Sequence, residues 1–208
     1  GHTARYAGCS FPWVGGATAL AVGDHDEIIR PDGARPGDDL MLTTGPAVEA
    51  TALFASLFPE QIDCDPAVLD RVAARLDDLD AVRDARTAVE AGAVTAMHDV
   101  TEGGLLGALH EMAAGAGVEF AVDRASVPAD PDIETLCEVL GMDRWRATSS
   151  GSLLVAVDPD STADVIEALR ARGTTAAVIG RADAGSGVVL DGESTQPPDG
   201  DSSWPVYE

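Results

Sequence analysis

Short apolar stretches alternate with amphipathic segments along most of the chain, and turn residues separate them. The apolar stretches are bounded by Gly, Pro or acidic residues, a pattern typical of buried strands. The amphipathic segments place apolar residues three and four positions apart, as helices with one buried face do. Strands are therefore predicted at 17–22, 40–43, 93–97, 118–122, 152–157, 176–179 and 188–190. Helices are predicted at 47–58, 66–79, 81–91, 104–114, 133–140 and 161–172.

The interleaving of strands and helices predicts an α/β sandwich, in which helices cover a sheet. Residues 30–39 contain two Pro, two Gly and several acidic residues, so they are predicted to form turns or a linker. A domain boundary is placed ahead of them, near Asp24. After Asp191 the sequence is polar and contains Pro197-Pro198, so residues 191–208 are predicted to be a tail.

Acidic residues dominate the charge of the chain. There are 36 Asp and Glu residues against 13 basic ones, all Arg, and the formal net charge is −23. Because the acidic residues are spread along the chain and apolar residues make up 45% of it, we interpret them as a brine-adapted surface over an ordinary core. Nucleic-acid mimicry or cation storage is the alternative. The charge argues against binding nucleic acid or anionic membranes, and it predicts a melting temperature that rises from dilute buffer to molar KCl.

The three cysteines, Cys9, Cys64 and Cys137, lack the spacing of a zinc site or a disulfide framework, so they are interpreted as structural. Their odd number fits a reducing compartment. No signal peptide is visible, and no stretch is apolar enough for a membrane span. A cytoplasmic location is therefore predicted. His25 and His110 have no evident partner and are expected at the surface.

The segment MHDVTEGGLL, residues 97–106, is the best candidate for chemistry, because it joins a predicted strand to a predicted helix. The first N–H groups of a helix lack partners within the helix and lie at the positive end of its dipole. Gly103 and Gly104 have no β-carbon, so a phosphate could approach these amides closely. Thr101 could donate a hydroxyl hydrogen bond to the same phosphate.

Two acid–base residues precede these glycines. Asp99 would repel a phosphate, so it is predicted to share Mg²⁺ with one or to bind a donor group of a substrate. His98 could bind a phosphate or transfer a proton. The alternative is structural, with Asp99 or Thr101 capping the helix and the glycines only permitting the turn. A later turn at Ser150-Gly151 is open to the same two interpretations.

The string HDVTEGGLLGALHEMA, residues 98–113, resembles the signature of the C-terminal domain of the AIR synthase superfamily. Other stretches agree in order. Gly1-His2-Thr3 resembles the end of the GG[DEH]T motif, Thr44–Thr51 resembles the strand-to-helix turn of the HypE-like subgroup, and Ser149–Leu154 resembles its late Gly turn. The resemblance covers nearly all of residues 1–185 and is closest to HypE-like, AIR synthase-related proteins of archaea, a group that includes hydrogenase-maturation proteins.

This resemblance implies an α+β fold with three α/β/α layers and a mixed sheet, similar to the PurM C-terminal domain. Residues 1–24 would end an N-terminal ATP-binding domain, and residues 25–190 would form the AIR synthase-related domain. The whole protein would be an ATP-dependent homodimer, joined through its N-terminal domains, that activates a small-molecule substrate by phosphoryl or carbamoyl chemistry.

The same resemblance implies that ATP and Mg²⁺ lie in a cleft shared by the two domains. Asp99 and His98 would be catalytic, and Asp99 would hold the metal. The cofactor-binding residues would be His2, Thr3, Thr101, Gly103, Gly104, Ser150 and Gly151.

Two departures from the family pattern leave another function open. HypE proteins end in a cysteine that accepts a carbamoyl group, whereas this sequence ends WPVYE, and the acidic position of GG[DEH]T is His2. The chain could therefore be a non-catalytic module that binds a nucleotide or a partner on the same scaffold. A purely structural acidic protein is the third possibility. Residues 1–208 alone are expected to lack catalysis.

Overall fold

The computed structural model describes residues 18, 20, 22–24 and 28–207. His2, Thr3, Cys9 and His25 lie outside this described part. The strand predicted at 17–22 lies partly outside it, and the described residues Thr18, Leu20 and Val22 belong to no strand or helix.

Seven strands and six α-helices make up the described part. The strands are β1 (Asp39–Thr43), β2 (Val94–Asp99), β3 (Glu119–Val122), β4 (Leu153–Val157), β5 (Ala176–Asp183), β6 (Gly187–Leu190) and β7 (Glu193–Ser194). The α-helices are α1 (Val48–Leu57), α2 (Pro66–Ala74), α3 (Ala81–Ala91), α4 (Gly104–Ala116), α5 (Pro131–Leu140) and α6 (Thr162–Ala171). Short 3₁₀ helices lie at Pro59–Gln61, Arg75–Asp78, Arg124–Ser126 and Trp204–Tyr207.

The strands form one mixed sheet in the order β2-β4-β1-β5-β3-β6-β7. All neighbouring pairs are antiparallel except β3 and β6, which are parallel. β2 is therefore an edge strand, and it pairs along β4 so that Asp99 lies opposite Leu153. The end of β2 consequently lies beside the turn that leads into β4.

Helices cover both faces of the sheet, because alternate residues of a strand point to opposite faces. In β1, Leu40 and Leu42 pack with the α4 residues Leu105 and Leu109 on one face. Met41 packs on the other face, in a cluster with residues of α3 and α6. A third cluster joins α1, α2 and α5. These layers confirm the predicted three-layer α+β fold.

Side-chain caps fix where several helices begin. Asp65 accepts a hydrogen bond from the Ala67 amide and is followed by Pro66, and Asp130 accepts one from Asp132 and is followed by Pro131. An acidic cap followed by proline is a strong start signal, because proline lacks the N–H that would otherwise need a partner. This signal explains why the predicted start of α2 agrees with the structure.

The polar segment after Asp191 is folded onto the domain, unlike the predicted tail. It contains β7 and the 3₁₀ helix Trp204–Tyr207, and Asp201 and Ser203 are buried. His110 is likewise buried, at 8% exposure, and its Nε2 lies 3.0 Å from the hydroxyl of Thr195. Burial lowers the pKa of His110. The expected surface position of His110 is therefore wrong, because the C-terminal segment covers it.

The described cysteines are free thiols without a redox or metal partner in this part of the chain. Cys137 is buried in the cluster of α1, α2 and α5, and burial raises its pKa to about 12. Such a thiol is protonated at neutral pH and is a poor nucleophile. Separately, none of the helices in the described residues is long and apolar enough to span a membrane.

Candidate functional site

The end of β2 and the start of α4 bring the predicted site segments together. The Val100 amide donates to the Ser152 carbonyl at 3.0 Å, and the Ser149 amide donates to the Val100 carbonyl at 3.0 Å. These two bonds place the turn that contains Ser150 and Gly151 directly beside the HDVTEGG segment. The two described segments to which the resemblance assigns cofactor-binding residues are therefore neighbours in the structure.

His98 and Asp99 line an open groove of about 580 Å³ at the edge of the sheet. Its apolar side is formed by Ile29, Val89 and Met97, among others. The Asp99 side chain is 59% exposed, which leaves its carboxylate accessible from the groove. Ligand sites commonly combine an apolar wall with a few polar groups, and this groove has the size of such sites.

Both ring nitrogens of His98 are engaged. Nδ1 lies 2.7 Å from the Asp99 carbonyl oxygen and 3.3 Å from the Asp99 carboxylate, and Nε2 lies 2.8 Å from the Glu111 carboxylate. All of these partners are hydrogen-bond acceptors. In this arrangement both ring nitrogens of His98 are in contact with protein groups.

Three amides at or just before the start of α4 donate within the protein. The Gly103 amide donates to the Asp201 carboxylate at 2.9 Å, and the Gly104 amide donates to the Thr101 carbonyl at 2.9 Å. The Leu106 amide donates to the Trp145 carbonyl at 2.9 Å. A phosphate that binds the Gly103 amide would therefore have to displace Asp201. The Asp201 carboxylate thus competes for an amide that was predicted to bind phosphate.

The glycines of this turn are required by packing. Gly103 and Gly104 have φ of 82° and 62°, which favours residues without a β-carbon. A β-carbon on Gly104 would lie 2.7 Å from the Ala147 carbonyl oxygen, and one on Gly103 would lie 3.1 Å from Pro198. Gly104 therefore allows a protein segment to approach the turn closely, whereas Gly103 meets Pro198 less tightly and also lines an open cavity of about 430 Å³. The positive φ values and these contacts explain both glycines without a bound phosphate.

The turn at Ser150-Gly151 is also occupied by protein groups. The Ser150 amide donates to the Glu49 carboxylate at 2.8 Å, and a β-carbon on Gly151 would lie 2.7 Å from the Leu79 Cβ. These contacts favour the structural interpretation of the turn. The Glu49 carboxylate, in the first turn of α1, thus accepts a hydrogen bond from a loop 101 residues further along the chain.

Two acidic residues that shape this region were not selected from the sequence: Glu111 and Asp201. Glu111 lies on α4, two turns beyond Gly104 and within the predicted helix 104–114. Its contact with His98 depends on how that helix packs beside β2. Asp201 gave no signal, because the segment around it reads as unstructured polar sequence. Its contact with Gly103 joins residues that are 98 positions apart.

The fit of a metal or nucleotide rests on Asp99 and Thr101. No cluster of three or more His, Cys, Asp or Glu residues within the described ranges could hold a metal by itself. Mg²⁺ commonly uses one or two carboxylates and completes its shell with phosphate and water oxygens. The exposed Asp99 carboxylate therefore fits Mg²⁺ that arrives with a nucleotide, whereas the occupied amides of Gly103 and Gly104 do not fit the phosphates.

Comparisons with known proteins agree with this fold. The family described as AIR synthase related protein, C-terminal domain matches residues 35–193. Carbamoyl dehydratase HypE of Rhizobium leguminosarum bv. viciae is 28% identical over 158 residues, covering 73% of this chain and 42% of that protein. Thiamine-monophosphate kinase of Halobacterium salinarum is 34% identical over 185 residues, covering 86% of this chain and 57% of that protein.

A solved structure of hydrogenase maturation protein HypE in complex with ATP superposes with a TM-score of 0.61 at 19% identity, covering 83% of this chain and 55% of that one. The chain thus spans about half the length of the relatives that it matches. The family match covers most of the chain and includes β1, the HDVTEGG segment and the Ser150-Gly151 turn. The chain therefore belongs to the AIR synthase related protein family and contains its C-terminal domain.

Proposed function

We propose that this domain forms one wall of an ATP-binding cleft in a two-domain, ATP-dependent enzyme of the AIR synthase family. The groove beside β2 carries the proposal, because it exposes the Asp99 carboxylate next to an apolar wall and is open on its outer side. An open groove suits a shared cleft, in which a preceding N-terminal domain would supply the opposite wall. Homodimerisation through that domain is part of the same proposal.

Asp99 is the proposed contact with Mg²⁺. When bound with ATP, the ion would supply charge stabilisation for transfer of the terminal phosphoryl group. The chain's own contribution is to hold the Asp99 carboxylate at the rim, through the His98 contacts with the Asp99 carbonyl and carboxylate. Glu111 in turn holds the His98 ring from the α4 side. His98 is therefore proposed as a positioning residue, and Asp99 as the cofactor-binding one.

The substrate class proposed is a small molecule with an oxygen that attacks the terminal phosphate. The HypE relatives favour carbamoyl activation in hydrogenase maturation, and the thiamine-monophosphate kinase relative favours transfer to a phosphate acceptor. Thr101, half-buried in the turn after β2, is a second side chain proposed to contact the nucleotide from this domain.

A non-catalytic nucleotide- or partner-binding module is the second candidate. One observation favours it: the Asp201 carboxylate occupies the Gly103 amide that a phosphate would otherwise use. In such a module the groove would still bind a ligand, but no ATP would be turned over.

The two candidates are separated by nucleotide binding and phosphate release in the longest natural form of the protein, with Mg²⁺, at high KCl. The enzyme proposal predicts ADP formation that depends on an acceptor, and Asp99→Ala should lower kcat/KM by about a hundredfold. Asp70→Ala, an exposed acid on α2, is the matched control and should change nothing. Binding without turnover would favour the module. Unchanged turnover in Asp99→Ala would contradict the assignment of Asp99.

A further inference from the structure

Two small cavities meet at Thr44, the residue after β1. One has a volume of about 270 Å³ and lies towards α5, with Pro131 and Arg144 in its wall. The other has a volume of about 240 Å³ and includes Arg83 and Thr174. Thr44 lines both, so we call them the Thr44 cavities. They share no lining residue with the groove of His98 and Asp99.

The backbone at Thr44 is strained. Thr44 and Ala47 both have φ of 61°, and Gly45 between them has φ of 129°. A β-branched residue in the left-handed region is an outlier, because its side chain crowds the backbone. Only three non-glycine residues of the described part have positive φ, and two of them lie in this turn. Strain of this kind persists only where surrounding contacts enforce it, and it concentrates at functional sites.

Buried hydroxyl groups enforce this conformation. Ser149 and Ser152 both donate to the Gly45 carbonyl, at 3.1 and 2.7 Å, and Ser149 accepts the Val48 amide at 3.0 Å. On the other side, the Thr44 amide donates to the Thr175 carbonyl at 2.8 Å. The turn is thus fixed from both flanks, and the Thr44 side chain is held at the junction of the cavities.

The Thr44 hydroxyl has no hydrogen-bond partner among the described residues, although Thr44 is only 6% exposed. A buried hydroxyl without a partner loses the free energy of its hydration and gains nothing in return. By contrast, the buried Ser149 and Ser152 hydroxyls nearby are all bonded. A ligand in the cavities would give the Thr44 hydroxyl the partner that the protein lacks.

Arginines line the same cavities as this hydroxyl. Four of the thirteen arginines of the chain line the Thr44 cavities: Arg75, Arg83, Arg144 and Arg172. Their carboxylate partners, such as Glu134 for Arg144 and Asp84 for Arg172, orient the guanidinium groups. Each guanidinium has five N–H donors, so these pairings leave donors for a further acceptor.

The local charge also permits an anion. Arginines and carboxylates are equal in number in the lining of each cavity, two of each in the first and three of each in the second. Because Arg75 lines both cavities, the combined lining holds four arginines and five carboxylates, a formal charge of −1 within a chain of net charge −23. An anion meets less repulsion here than at an average position on this surface, and the guanidinium donors match a planar or tetrahedral oxyanion.

We propose that the Thr44 cavities bind a compact oxyanion, a carboxylate or phosphate group, through the Thr44 hydroxyl and the neighbouring guanidinium groups. This site is separate from the nucleotide groove and does not depend on the function proposed for it. Inorganic phosphate and acetate are the two probes, and they distinguish a phosphate ligand from a carboxylate ligand.

The test is calorimetric titration of the protein with each probe, combined with melting temperatures. Thr44→Val keeps the shape of the side chain and removes the hydroxyl. It should lower the affinity for the bound probe by about tenfold or more, while the melting temperature of the free protein stays the same or rises, because the unpartnered group is gone. A purely structural role for Thr44 would not separate these two readouts.

Two arginine variants locate the anion. Arg144→Gln tests the first cavity and Arg83→Gln the second, and one of them should lower the affinity by a similar factor. Arg83 has a 75% exposed side chain, so its replacement leaves the core intact even if Thr44→Val fails to fold. Arg181→Gln, an exposed arginine paired with Asp183, is the control and should bind as the parent does.

Three outcomes would overturn the proposal. The first is that the parent protein binds neither probe at millimolar concentrations. The second is that Thr44→Val, when folded, binds as tightly as the parent. The third is that binding responds to neither arginine variant, which would place the anion outside the Thr44 cavities.

Discussion

Two strand-to-helix turns of the same domain differ in how their polar groups are satisfied. The β2–α4 turn, Val100–Gly103, carries the family signature, and its Gly103 amide and that of Gly104, the first residue of α4, donate to protein acceptors. The β1–α1 turn, Thr44–Ala47, is strained and keeps a buried hydroxyl without a partner. The turn that carries the family signature is thus the one whose described amides already have protein acceptors, although its Glu102 is exposed.

The difference comes from distant segments. Asp201 reaches the β2–α4 turn from the C-terminal segment and supplies the negative charge that a helix start favours. Within residues 28–207 no such acceptor or donor reaches the Thr44 hydroxyl, although serines hold the backbone around it. A glycine-containing turn before a helix therefore predicts a possible anion site, and long-range contacts decide whether it is available.

The largest expected effect is at the β2–α4 turn. Gly104→Ala should cost about 3 kcal/mol or more of stability, because its β-carbon would lie 2.7–2.8 Å from backbone atoms of Trp145, Arg146 and Ala147 at a φ of 62°. Gly117→Ala, with φ of 68° and open space around it, is the control and should cost about 1 kcal/mol. Urea denaturation measures both. Equal losses would show that the turn is not closed by packing.

Removing the competing carboxylate should have a smaller effect. Asp201→Ala leaves the Gly103 amide and the Ser203 amide without their acceptor, so it should cost about 2 kcal/mol. Asp199→Ala removes a 91% exposed carboxylate that pairs with Arg146, and it should cost less than about 1 kcal/mol. If the Asp201 variant is as stable as the parent in urea, the C-terminal segment does not close the turn.

Ser149→Ala should lower the free energy of unfolding by about 1–2 kcal/mol, because the Val48 amide and the Gly45 carbonyl in the β1–α1 region each lose a buried partner. Ser126→Ala, whose hydroxyl bonds to Asp123 near the surface, should change stability by less than about 0.5 kcal/mol. Thermal unfolding of the two variants checks this. A neutral Ser149→Ala would mean that the strained turn is held by other contacts.

A pH effect is expected behind the same turn, where buried Asp84 contacts Arg172 and Thr174. Burial raises the pKa of Asp84 above its ordinary 3.8, despite the opposing Thr174 and Arg172 contacts, while Asp80 adds to the rise. Because the folded-state pKa is the higher one, its contribution to stability is present below the unfolded pKa and is lost as pH rises through the folded pKa.

Asp84→Asn removes this titration. The stability of the parent relative to this variant should therefore fall as pH rises above about 4, measured by denaturation across a pH series. A difference that grows with pH would mean that the Arg172 pairing outweighs burial and that the pKa of Asp84 is lowered. This is the smallest effect expected, because neighbouring groups partly cancel it.

Local sequence signals were sufficient for most of the fold. The Asp-Pro start of α2, the glycine after α5 and the apolar runs of β1 and β4 placed these elements, because helix caps and buried strands depend on neighbouring residues. The segment after Asp191 was predicted to be a tail, but it is folded onto the domain, where Asp201 contacts Gly103 and Thr195 contacts His110. Such contacts join residues far apart in sequence and leave no periodic pattern.

The candidate site was predicted in part. The sequence selected the segment at residues 97–106, and the structure puts His98 and Asp99 of that segment on an accessible groove. The roles of Gly103, Gly104 and Ser150 could not be decided from the sequence, because their acceptors, Asp201 and Glu49 among them, lie far away in the chain. The roles of His2 and Thr3 remain predictions for the residues outside the described part.

In the proposed complex the nucleotide and its Mg²⁺ contact the Asp99 side chain, and the amides of Gly103 and Gly104 keep their hydrogen bonds to the protein. A crystal structure of the longest natural form of the protein with Mg²⁺ and a non-hydrolysable ATP analogue tests it directly. We expect the Asp99 carboxylate within direct or water-mediated reach of Mg²⁺, with the Gly103 amide still bonded to Asp201. A phosphate bonded to the Gly103 amide with Asp201 displaced, or a nucleotide that does not touch the groove, would contradict it.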